Sequence, residues 1–117
     1  MASGDGLIPL REEEEYDRAV TAGIVVLYKH SDRCFACRRS LKQMRRLVED
    51  RPDVPVYIVD VIGQRALSSR IAEKLEIRHE SPQAIVLEDG RPVWDGSHFA
   101  VTAEALQQEL DRLAGMD

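Results

Sequence analysis

Two thiols stand three residues apart in Cys34-Phe35-Ala36-Cys37, and they are the only cysteines of the 117-residue chain. One such pair cannot staple a small secreted domain. In a reducing compartment it reads as a redox pair or as half of a metal site. Cys34 falls between a strand-like run and a helix-like run. Unpaired N–H groups and the helix dipole at a helix start favour a thiolate there. Such a position can bring a thiol pKa from about 8.5 into the ~3.5–7.5 range. Cys34 is therefore the candidate nucleophile. Cys37, one turn further in, is the candidate resolving thiol. The metal alternative would add His30, but a structural zinc site wants four protein ligands and no second paired motif is present. A third alternative is a protein-binding module with incidental cysteines. Ser81, Pro82 and His79 are candidate substrate-binding residues. Pro82 lies where a third strand begins, and a cis bond there would turn the Ser81 backbone toward Cys34 for pairing with an extended substrate. By base rate alone Ser81-Pro82 reads as trans. Tyr28 either lines the site or packs, Trp94 reads as core, and His98 reads as a surface or hydrogen-bonded histidine.

The elements that must position these groups follow from periodicity. Glu12-Glu13-Glu14-Glu15 opens a helix over 11–21, acids suiting its positive end. Gly23–Lys29 is an apolar, β-branched strand. Leu41, Met44 and Val48 recur at helical spacing, and that helix ends before Pro52. Val54–Ile62 reads as a second buried strand, and Leu67, Ile71 and Leu75 as the face of another helix. Gln83–Leu87 and Val93–Ser97 flank Asp89-Gly90, a strong hairpin signal. Thr102 is an N-cap for a last helix carrying Leu106, Leu110 and Leu113. The order α-β-α-β-α-β-β-α predicts an α/β, thioredoxin-like fold: a mixed four-stranded sheet with helices on both faces. Residues 1–6 are read as a flexible N-terminus and 7–117 as the domain.

Composition narrows the function. The net charge of −5 argues against a general nucleic-acid partner. No apolar run approaches the ~20 residues of a membrane span, and the N-terminus lacks the pattern of a secretory signal. A cytoplasmic, non-membrane protein is expected. The charge is uneven. Residues 28–46 hold seven bases against Asp32, a local +6 that leaves the rest of the chain at −11. Both cysteines lie inside this basic stretch, whose arginines and lysines are expected to add to the helix start in favouring a Cys34 thiolate.

Several strings are more specific than a bare C-x-x-C. Lys29-His30-Ser31-Asp32-Arg33-Cys34, His79-Glu80-Ser81-Pro82-Gln83, Val93-Trp94, and Ser97-His98 followed by Thr102-Ala103-Glu104-Ala105-Leu106 resemble the YtxJ-like bacilliredoxins of bacterial bacillithiol systems. The resemblance runs from about residue 7 to 113. It implies a thioredoxin-like fold, a cis Pro82, and a nucleophilic Cys34 that removes bacillithiol from mixed disulfides on client proteins. No cofactor is implied. A low-molecular-weight thiol, bacillithiol or glutathione, would be the co-substrate, and its carboxylates would suit the basic stretch. The chain departs from the family pattern Thr-Cys-Pro-Ile-Ser by carrying Arg33-Cys34-Phe35-Ala36-Cys37. The second thiol permits a dithiol cycle ending in a Cys34–Cys37 disulfide. Tyr28 stands where thioredoxins commonly carry a buried acid.

Overall fold

A computed structural model describes residues 6–115. Five of the six residues expected to be flexible (1–6), and the last two residues of the expected domain, lie outside the described residues. The chain order is β1 (Ile8–Pro9), α1 (Glu13–Ala19), β2 (Ile24–His30), α2 (Phe35–Asp50), β3 (Val56–Asp60), α3 (Arg65–Leu75), β4 (Gln83–Glu88), β5 (Arg91–Ser97), a 3-10 turn (His98–Ala100) and α4 (Ala103–Leu113). The sheet has five strands rather than four, in the order β1-β3-β2-β4-β5. The extra strand, β1, pairs in parallel with β3 at one edge. It is two residues long and ends in proline, too short to leave a periodic trace in the sequence.

β2 is central. It runs parallel to β3 and antiparallel to β4, and β4 pairs antiparallel with β5 through the Asp89-Gly90 turn. Both turn residues take positive φ, 52° and 84°, the conformation that Asp-Gly hairpins supply. The Asp89 carboxylate also accepts the Gly23 N–H at 2.8 Å, tying the hairpin to the start of β2.

Strand alternation sorts the core onto the two faces of the sheet. Val26 and Tyr28 of β2 join Met44 and Leu47 of α2 and Leu106 and Leu110 of α4. Val25 and Leu27 join Tyr16 of α1 and Leu67, Ile71 and Leu75 of α3. Trp94 is partly buried against the first of these clusters. The Thr102 hydroxyl accepts the Ala105 N–H at 3.1 Å, capping α4 as expected. The buried stripe of α2 is Cys37, Ser40, Met44 and Leu47, with Leu41 and Val48 half-buried beside it. Among the described residues, no helix is long and apolar enough to cross a membrane.

Candidate functional site

β2 delivers the site and α2 begins at it. After His30 the chain turns through Ser31-Asp32-Arg33. Cys34 is the extended N-cap of α2, and its carbonyl accepts N–H groups from Cys37 and Arg38 at 3.1 and 3.3 Å. One helical turn therefore separates a partly exposed Cys34 from a fully buried Cys37, and both are free thiols. Across from them, the Ser81-Pro82 peptide is cis, against the base-rate reading of trans and in keeping with the family pattern. Ser81 Oγ lies 3.5 Å from Cys37 Sγ. The structure thus brings Cys34, Cys37, Ser81 and Pro82 to one end of the sheet.

The two thiols are driven apart in acidity. The Cys37 thiol hydrogen-bonds the Cys34 sulfur, and the Cys37 and Ala36 backbone N–H groups at the start of α2 add to it; together they hold Cys34 below the usual thiol range despite some desolvation. Cys37 is pushed up, chiefly because burial disfavours its thiolate. The expected contribution of the basic stretch is absent from these causes. Local hydrogen bonds, not the arginines, lower Cys34.

Beneath α2 lies a hydrogen-bonded chain built on Tyr28, Ser40 and His30. The Tyr28 hydroxyl is 2.6 Å from Ser40 Oγ, 2.8 Å from His30 Nδ1 and 3.2 Å from the Cys37 carbonyl. His30 Nε2 is 2.8 Å from the exposed carboxylate of Asp32. Ser40 Oγ also donates to the Cys37 carbonyl, at 3.0 Å, so both hydroxyl groups converge on the first turn of α2. Tyr28 thus does more than pack. Burial pushes its phenol well above the usual range, so it acts as a neutral hydroxyl. Both ring nitrogens of His30 are engaged, and no group of three or more His, Cys, Asp or Glu side chains among the described residues is placed to hold a metal.

His79 is not at the sulfurs. Its Nδ1 lies on the α3 side of the sheet, 3.2 Å from Nζ of Lys29 and 3.3 Å from Ser68 Oγ. Lys29 is fully buried, and its Nζ also donates to the Ser68 carbonyl at 3.2 Å. Removal from water pulls this lysine down to about 8. Burial first, then the Lys29 charge, lowers His79, leaving a neutral ring whose Nδ1 accepts. Gln83 stands opposite Lys29 in the β2–β4 register and donates to the Arg78 carbonyl, while its Oε1 is buried without a partner. His79 thereby fastens the segment leading to Ser81 from below. Sequence reasoning passed over Lys29, although it alternates in register with Val25 and Leu27 inside an apolar strand. His98 is an exposed histidine bonded to Glu80 at 3.1 Å, as expected.

A family model described as monothiol bacilliredoxin BrxC matches residues 8–106. A solved structure described as a thioredoxin fold and, provisionally, an oxidoreductase superposes with a TM-score of 0.83 at 29% identity, covering 88% of this chain and 92% of its own. Thioredoxin from Trypanosoma brucei brucei gives 0.78 at 16% identity, over 97% of this chain and 96% of its own. Mitochondrial thioredoxin 3 from Saccharomyces cerevisiae gives 0.73 at 18% identity, over 91% and 94% respectively. The fold is that of thioredoxin, and a thiol–disulfide redox role follows at the level of the family.

Proposed function

The chain belongs to the monothiol bacilliredoxin family, and on that premise we propose that it reduces mixed disulfides between client proteins and a low-molecular-weight thiol such as bacillithiol, in the cytoplasm and with no resident cofactor. One observation carries the reading. A partly exposed thiol of lowered pKa caps α2, with a buried thiol one turn behind it and Ser81 of the cis Ser81-Pro82 peptide beside that second thiol. Cys34 thiolate attacks the mixed disulfide. One S–S bond forms to Cys34 as the old one breaks, and the departing sulfur takes up a proton. Cys37 then sheds its proton and attacks Cys34 Sγ, releasing the second thiol. The enzyme is left oxidised as Cys34–Cys37 and is returned to the dithiol by a thiol reductant. Ser81 and Pro82 present the backbone that an extended substrate would pair with. His79 acts from behind, on the segment that carries them.

Cys37 is the point at which this chain departs from a monothiol pattern. Burial raises the pKa of its thiol, which leaves Cys34 the more acidic of the two. The test is mass spectrometry of variants. Cys37→Ser should retain a stable adduct on Cys34 after treatment with bacillithiol disulfide, and glutathione disulfide in parallel identifies the preferred thiol. Cys34→Ser should lose at least ~100-fold in reduction rate, because the thiolate is the nucleophile. Activity of Cys34→Ser equal to the unaltered protein would overturn the proposal.

A further inference from the structure

The charges of α2 run against its dipole. Its first turn holds no acid and is followed by Arg38 and Arg39, while Glu49 and Asp50 close it with no base in the last turn. α1 and α4 are arranged the opposite way, while α3 opens on Arg65 with no acid in its first turn and carries Lys74 in its last. α1 opens with Glu13, Glu14 and Glu15 and carries Arg18 in its last turn, and α4 opens with Glu104 and carries Arg112 near its end. Cations at a helix start and anions at its end are unfavourable. The lowered pKa of Cys34 does not explain the bases, since its causes are the Cys37 thiol and two backbone N–H groups. Arg38 and Arg39 are exposed, one and two residues after Cys37 on the helix that Cys34 caps.

Exposed apolar surface gathers at the same end. Phe35, directly after Cys34, is 80% exposed, and Phe99 in the 3-10 turn is 65% exposed. The turn is set by His98, which takes a left-handed φ of 56° and donates its N–H to the Pro82 carbonyl at 2.8 Å. Phe99 is thereby held against α2, with the Arg39 guanidinium 5.9 Å from its ring centroid. Aromatic rings kept in water beside arginines mark a binding rim. A small anionic thiol needs the cations but not two exposed rings, whereas a polypeptide side chain uses both.

We propose that Phe35, Arg38, Arg39 and Phe99 form a docking rim for the protein half of the mixed disulfide, and that the segment taken there carries Asp or Glu beside an apolar residue next to its disulfide-bonded cysteine. This rests on the disulfide-exchange reading above. Two synthetic peptides test it, each a mixed disulfide with bacillithiol, the cysteine flanked by Asp and Leu in one and by Lys and Leu in the other. The acidic peptide should show a kcat/KM higher by roughly 10-fold at low salt, the ratio falling toward one in ~1 M salt, where the Debye length is about 3 Å. In Arg38→Ala/Arg39→Ala the ratio should collapse through KM. In Phe99→Ala, KM should rise for both peptides. Equal rates for the two peptides, or a preference that survives loss of both arginines, overturns the rim while leaving exchange itself intact. A protein that exchanges with neither peptide overturns the parent reading and the rim with it.

Discussion

Tyr28 and Lys29 are neighbours in β2, leave the sheet on opposite faces, and each ends in a polar network under one half of the site. Under α2, the Tyr28 hydroxyl joins the neutral Ser40 hydroxyl and Cys37 carbonyl, and through His30 the network reaches Asp32 at the surface. Under the Ser81-Pro82 segment, Lys29 brings an ammonium into full burial and finds only neutral acceptors, Ser68 and His79. The first network satisfies hydroxyl groups at short distances. The second holds a charge at longer ones, lies in register with Gln83, whose Oε1 is unpartnered, and has no acid among its partners in the described residues. A cysteine pair can thus be supported by rigid hydroxyl bonding on one side and by a titratable post on the other.

Truncation should break the hydroxyl side most severely. Tyr28→Ala removes a fully buried aromatic ring and should destabilise by about 3–5 kcal/mol in urea titration, as large-to-small core changes do. Tyr28→Phe keeps the ring and strands His30 Nδ1, for a loss of about 1–3 kcal/mol. Lys29→Met should lose less than about 1 kcal/mol or gain stability, because desolvating an unpaired ammonium costs more than two neutral acceptors return. A larger loss from Lys29→Met than from Tyr28→Phe would reverse the comparison.

Alkaline pH sharpens the same contrast. Lys29 has a folded pKa of about 8 against an ordinary 10.5, so between those values the unfolded chain binds the proton and the folded chain does not. The Lys29 contribution to stability therefore rises with pH across that window. Cys37 acts the other way: its raised folded pKa takes stability away as pH climbs past the ordinary thiol value. Subtracting the Lys29→Met profile from that of the unaltered protein should isolate a positive slope between pH 8 and 10.5. A flat difference would mean that the lysine is solvated. The smallest effect concerns Cys34, whose alkylation should reach half its maximal rate below the ordinary ~8.5. Cys37→Ala should move that midpoint upward, since the Cys37 thiol is the leading cause of the shift.

Much of this was legible in the chain, and the exceptions have physical reasons. Periodicity located the central strands and long helices, and the spacing of Cys34 and Cys37 placed the thiols at a helix start. β1 escaped because two residues carry no period. The α2 stripe reads from apolar residues as Leu41, Met44 and Val48, yet Cys37 and Ser40 occupy the buried face, because Tyr28 gives the serine hydroxyl a partner inside. Lys29 escaped because a lysine is ordinarily assigned to solvent, and it is Ser68 from α3 and His79 from the loop before β4 that make its burial tolerable. The basic stretch suggested thiol activation, whereas its arginines face outward.

The borders of the sheet carry a last consequence. β1 ends in Pro9, and β5 carries Pro92 beside a register shift at Val86/Leu87 of its neighbour. Proline withholds the N–H that an incoming strand would need, and irregular pairing twists a border out of line. Neither flank is a good template for stacking copies of the chain into fibrils.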